Sequence, residues 1–166
     1  MSFNIATTFL GDQLGKLQKE LAAFDELSVS VGFQREEGKT PHAGTRAKIA
    51  KIAAIHEFGN PGDGIPARSF IRDSIKQQAN AINSQRAHEL RRVMLGQATA
   101  VEALSGLGKF VLAIVRDRLT SGDFAALEPE TAKAKGSRKP LVHTNELAAA
   151  LSWVVKRRRS VIAKGK

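Results

Sequence analysis

Four histidines are the first residues to weigh for chemistry, because imidazole serves as ligand, base and proton shuttle near neutral pH. His42, His56, His88 and His143 never fall three or four residues apart, so no helix face presents a metal-binding pair. His56-Glu57 lacks the second histidine of an H-E-x-x-H zinc signature, and the absence of cysteine removes thiolate ligands, thiolate nucleophiles and disulfides together. His56 suits the last turn of a helix instead, where a partly positive imidazole meets the negative end of the dipole. Phosphate chemistry finds no better support. Gly-Lys pairs occur at 15–16, 38–39, 108–109 and 165–166, but the position five before each glycine is Leu10, Phe33, Ala103 or Ser160, so none completes a Walker A loop. Gly62-x-Gly64-x-x-Ala67 has the spacing of a dinucleotide fingerprint, yet it follows a helical pattern instead of a strand, and Pro66 removes one backbone donor. No G-x-S-x-G elbow supports a serine nucleophile. The expectation is a chain with no catalytic residues, no metal and no cofactor.

Cations are what the sequence does concentrate. Residues 1–131 hold 16 Lys/Arg against 15 Asp/Glu, whereas residues 132–166 hold 10 against the single Glu146, so nearly all of the net +10 lies in the last fifth. Lys156, Arg157, Arg158 and Arg159, with Lys133, Lys135, Arg138 and Lys139 upstream, form a basic segment able to neutralise several phosphates in a salt-dependent way. One aromatic, Trp153, accompanies it, and there is no zinc or helix-turn-helix signature, which argues against reading a base sequence. Two partners suit such a segment, a nucleic acid or an acidic protein surface. Basic residues also protect an edge strand from aggregation with no partner at all.

The elements that must carry these residues follow from periodicity. At 166 residues and 42% hydrophobic content the chain is expected to form a single domain, 1–166, with 132–166 as a basic C-terminal segment within it. Phe9, Leu10, Leu14, Leu17, Leu21 and Phe24 recur at helical spacing, and Leu27, Val29, Val31 and Phe33 then alternate with Ser28, Ser30 and Gly32 as a half-buried strand. Residues 34–44 read as an exposed loop or hairpin tip. A helix is expected from Thr45, closed by a left-handed Gly59 and stopped by Pro61, followed by a turn-rich connector over 60–66. A long helix should run from about Ile71 to Leu95, with a break at Gly96, and a fresh stripe from Val101 to Leu119 predicts another. After a connector at 121–140, Thr144 or Asn145 caps a short helix, and Trp153-Val154-Val155 opens a strand that forms a terminal hairpin with Val161-Ile162. The expected class is α+β: a small antiparallel sheet of the early strand and the C-terminal strands, packed with several helices including a long central one. No window approaches 18 apolar residues and the N-terminus lacks signal-peptide features, so a soluble chain made in the cytoplasm, with no membrane contact, is expected.

Four stretches, in order, resemble the tail-completion or neck proteins of long-tailed bacteriophages. They are Val29-Ser30-Val31-Gly32-Phe33; Ala47 to Gly59, ending in Ile55-His56-Glu57-Phe58-Gly59; Ile65-Pro66-Ala67-Arg68-Ser69-Phe70-Ile71-Arg72; and Lys139-Pro140-Leu141-Val142-His143-Thr144-Asn145-Glu146-Leu147. Together with the following strand they span residues 29 to about 156. Asn145 stands where that family often has glycine, Ser69 where proline is common and His56 where asparagine is common; asparagine tolerates the left-handed conformation, so the turn is expected to survive.

The resemblance implies a structural virion part at the head–tail junction, with no covalent chemistry: a subunit of a homo-oligomeric ring or collar that joins the head to the tail, assembled in the host cytoplasm. Its partners would be other neck, connector and tail proteins, with non-specific contact to packaged DNA as a further possibility. A tail terminator capping the tail tube is the neighbouring alternative, and a free, non-sequence-specific nucleic-acid-binding module is the rival from another class. Ring contacts would come from loop 34–44, connector 59–66 and the basic terminus, with Lys156, Arg157, Arg158, Arg159, Lys139 and Arg138 as partner contacts. Within the motif, Glu57 and Arg68 read equally as an ion pair that sets the connector or as two independent surface charges, with Phe58 and Phe70 anchoring the connector's two sides in the core and Pro66 starting the next helix.

Overall fold

A computed structural model describes residues 3–34, 39, 48–121, 145–158 and 160–166, with backbone alone at 3–10 and 145. Its elements are α1 (Phe3–Ala23), β1 (Leu27–Phe33), α2 (Ile49–Phe58), α3 (Arg72–Gln77), α4 (Ala79–Met94), α5 (Ala100–Ser121), α6 (Asn145–Ala150), β2 (Leu151–Arg157) and β3 (Ser160–Gly165). The architecture is α+β, a three-stranded antiparallel sheet in the order β1-β2-β3 packed with several helices.

Alternation decides the sheet register. Leu27, Val29, Val31 and Phe33 share one face, and pairing Val29 with Val155, Val31 with Trp153 and Phe33 with Leu151 places both apolar sets on that same side. The 22-residue α5 packs against all three strands there. Its buried stripe is Ala100, Ala103, Gly108, Leu112, Val115 and Leu119; Ala100, Leu112, Val115 and Leu119 join Leu27, Leu151, Trp153 and Val155 of the sheet, Leu147, Ile49 and Ala53 of other helices and Phe70 just before α3 in one core, while Ala103 packs with Val93 and Ala98 in a second cluster. Each fully buried Leu, Ile, Val or Phe side chain of that core contributes about 1.5–3 kcal/mol by leaving water. Phe33 and Phe70 meet edge to face, 6.3 Å between centroids. Gly108 is small for a reason: a methyl there would lie 2.9 Å from Val29 Cγ2 and 3.2 Å from Trp153 Cβ, so its absence sets the helix-to-sheet distance. Gly106, on the flank turned toward α4, leaves room for the buried Glu89 carboxylate, which Gln85 and Arg92 hold by side-chain hydrogen bonds.

Helix ends are specified locally. Gly96 at φ 68° ends α4, its N–H donating to Val93 O while Gln97 N–H donates to Arg92 O. Thr99 and Glu102 then form a reciprocal cap on α5: Glu102 N–H donates to Thr99 Oγ1, and the Glu102 carboxylate accepts the Thr99 N–H at 2.8 Å. Those bonds hold the Glu102 carboxyl below the usual glutamate range. Glu20 of α1 accepts the Ala100 N–H at 2.6 Å and ties the first helix to the same end.

Two expectations about helices need correction. The stretch from Ile71 to Leu95 is two helices, parted where Gln78 leaves the helical region at φ −100°, ψ 17°, so that α3 and α4 each meet α5. No glycine or proline marks the break, and the apolar spacing runs through it. Pro66 does not begin a helix; residues 66–69 are irregular and α3 starts at Arg72. The expected start at Thr45, loop 35–44 apart from Lys39, connector 122–140 and Thr144 lie outside the described residues.

Candidate functional site

The connector between α2 and α3 is built from its last helical turn upward. Gly59 closes α2 at φ 76°, ψ 174°, with its N–H on Ile55 O, and the chain then folds back so that Arg68 N–H donates to His56 O at 2.6 Å. Asn60 and Ile65 exchange both backbone hydrogen bonds, Gly64 takes the left-handed turn at φ 65°, and the Asn60 side chain donates to Asp63. The loop is therefore tied at its base by main-chain bonds.

Glu57 locks the other end. It is 4% exposed, and its carboxylate accepts the Ile71 N–H at 2.9 Å, the Arg72 N–H at 3.0 Å and Arg72 Nε at 3.0 Å. These donors sit at the start of α3, so the carboxylate caps a helix from another element and meets its positive end. Arg72 Nη2 also donates to the Glu57 carbonyl and to Ser69 Oγ, whose hydroxyl donates to that same carbonyl. With its oxygens engaged by three donors, the carboxylate holds the start of α3 against the end of α2.

The Glu57–Arg68 pair is replaced by Glu57–Arg72. Arg68 is itself buried, and that burial lowers its guanidinium below the ordinary arginine value. The reason for the exchange is the late start of α3: without a helix at Pro66, the first free amides and the neighbouring guanidinium arrive at 71 and 72. Phe70 is fully buried as expected, but Phe58 is 63% exposed and does not anchor in the core. It lies under the Arg72 guanidinium, 4.6 Å from ring centroid to Cζ, on the solvent side of the connector. Arg72 and Ser69 stand in the quoted block without a role assigned to them, although Arg72 lies four residues after Arg68. The Thr99-x-x-Glu102 cap was legible as a capping box and was also missed.

At the opposite end of the sheet the basic run forms the β2–β3 hairpin. Arg157 pairs with Ser160, leaving positions 158 and 159 as the connection. Lys156 is half-buried, and Arg157 and Arg158 are exposed. Arg157 Nε stands 3.5 Å from Glu26 Oε2, a half-exposed pair of little energetic weight. Arg158 is the one described non-glycine residue with positive φ, 52°, in a two-residue turn of the kind that asparagine and glycine favour. Arg159, Arg138, Lys139, Lys133 and Lys135 lie outside the described residues. An arginine in that conformation costs about 1 kcal/mol, so Arg158→Gly is expected to raise stability by up to about 1 kcal/mol in urea titration while removing a cation from the tip. Unchanged or lower stability would mean the turn carries no strain.

The connector and the hairpin are not neighbours in the hydrogen-bonding scheme. They are two presented surfaces on one scaffold, the first an exposed aromatic held by a buried polar network, the second a basic corner. Among the described residues no group of three histidine, aspartate or glutamate side chains is placed to hold a metal ion, and no helix is long and apolar enough to cross a membrane. Comparison with family models, with curated proteins and with solved structures yields no match.

Proposed function

We propose that this chain is a structural component of the bacteriophage head–tail junction, a neck or tail-completion subunit that oligomerises into a ring and joins head to tail without covalent chemistry. The observation that carries the reading is the meeting of two separate motif blocks. Glu57 of the E-F-G block and Ile71-Arg72 at the end of the P-A-R-S-F-I-R block form one buried hydrogen-bonded unit. Residues that such a motif needs for shape are thus used for shape, and the unit presents Phe58 and Arg72, residue types that dominate protein–protein hot spots. A closed ring requires unlike faces on neighbouring subunits, and the connector and the basic hairpin supply two. Its partners in this reading are further copies of itself and adjoining neck, connector and tail proteins in the virion, assembled in the host cytoplasm.

Electron microscopy of particles made with the gene interrupted tests the reading. Packaged heads lying apart from finished tails are expected. Complete particles, or the absence of both heads and tails, would overturn it. Tails of uncontrolled length would instead favour the tail terminator.

A further inference from the structure

We infer that the face of the sheet turned away from α5, at its hairpin end, binds the phosphate backbone of duplex DNA. The register assembles this face. Ser28 lies directly opposite Lys156, Ser30 opposite Val154, and Val154 opposite Lys164, so two hydroxyls and two ammonium groups occupy one side of three adjacent strands. Lys156 and Lys164 lie two residue pairs apart on this face, with a register shift between them that sets Val161 opposite Lys156. Arg158 adds a guanidinium at the corner. Ser28, Ser30, Arg158 and Lys164 are exposed and Lys156 half-exposed, whereas Ser152 and Val154 are buried, so the accessible part is the end near the tip.

Beside the exposed Val161, which lies opposite Lys156, this surface presents donors. No Asp or Glu follows Glu146 in the chain, and among the described residues Lys156, Arg158 and Lys164 have no acidic side chain within ion-pair distance. Arg157, by contrast, points to the other face and meets Glu26. Small serines beside unpaired cations let an anionic chain approach closely, and hydroxyls, ammonium and guanidinium groups are the usual partners of phosphate oxygens. Two rivals fit less well. A single strand would need exposed rings for base stacking, but the hairpin's one aromatic, Trp153, is buried on the α5 side against Gly165. An acidic protein would be expected to meet an aromatic anchor; the exposed apolar groups near this face are Val161 and Ile162 on the edge strand. Contacts to backbone alone imply no sequence preference. The inference is independent of the junction reading, because it concerns the isolated chain.

Fluorescence anisotropy of the purified full chain with a labelled duplex of about 30 base pairs, titrated between about 50 and 200 mM salt, tests it. Binding that weakens linearly on a log–log salt plot is expected, and Lys156→Gln/Arg158→Gln/Lys164→Gln should bind at least about tenfold more weakly at low salt, with a slope smaller by about 3. Circular dichroism checks that the variant is folded. Ser28→Asp/Ser30→Asp, which changes two exposed hydroxyls and no cation, should weaken binding in the same direction. Wild-type affinity and slope in both variants would overturn the assignment, as would no duplex binding at low salt. Tighter binding to a single strand of equal length, or competition by polyglutamate as effective as by duplex, would overturn the choice of duplex DNA.

Discussion

Glu57→Ala should destabilise the fold by about 3–5 kcal/mol, because it leaves two amides at the start of α3 and a guanidinium without the buried acceptor that joins them. In a domain of this size that corresponds to a fall in Tm of about 10 °C. The guanidinium side is the weaker part, since the Arg72 side chain is 57% exposed, so Arg72→Ala should cost only about 1 kcal/mol. This ordering distinguishes a helix-capping carboxylate from a simple surface ion pair, in which either partner's loss would cost the same small amount. Glu57→Gln keeps the volume but turns an amide donor toward other donors, and should fall between the two. Urea unfolding of the three variants is the measurement; a loss below about 1 kcal/mol for Glu57→Ala would remove the carboxylate from its role.

Gly59→Ala is expected to be nearly as damaging, about 3 kcal/mol, for a reason confined to the backbone. The residue sits at φ 76°, ψ 174°, a region that side-chain-bearing residues avoid. A methyl there would also stand 2.8 Å from Ala67 N and 2.9 Å from Ile65 O, main-chain atoms of which the second is held by the Asn60 N–H. Gly64 provides the internal comparison. It too has positive φ, 65°, but no atom lies within 4 Å of its added methyl, so Gly64→Ala should cost only the left-handed penalty of about 1 kcal/mol. Equal losses at the two positions would show that conformational strain alone acts at Gly59 and that the close approach of residues 65–67 does not matter.

Both variants bear on the function proposed above. Gly59→Ala would disturb the half-buried base of the connector that presents Phe58, whereas Gly64→Ala alters its exposed tip, so a particle-assembly defect in a folded Gly64→Ala protein and its absence in Gly59→Ala would contradict the idea that the connector's shape is what a neighbour recognises.

Periodicity made much of this fold legible. The alternation of Leu27, Val29, Val31 and Phe33 with serines admits one register of burial, and the β-prone residues after Leu151 complete the same sheet. The helical stripes and the glycine stop at 96 are likewise local signals, because a 3.6-residue repeat and a positive φ are properties of short segments. The basic hairpin could be placed for the same reason. What the chain could not disclose locally were choices among nearby candidates. Glu57 had Arg68 and Arg72 within reach along the sequence; the late start of α3 selects Arg72. Phe58 and Phe70 are chemically alike, yet one is exposed and the other fully buried, since only Phe70 lies beside Phe33 and the core. Lys156 and Arg157 are adjacent cations, and strand pairing sends them to opposite faces, one to a bare donor surface and the other to Glu26. Local pattern sufficed for the strands, for the long stripe of α5 and for the gathering of charge at one end, because those depend on neighbours within a few residues, but not for the break at Gln78 or the late start of α3. Which of several equivalent side chains is buried, paired or presented depends on atoms brought together from 14 or 15 residues away or from another strand, where burial leaves room for one partner and excludes water from the rest.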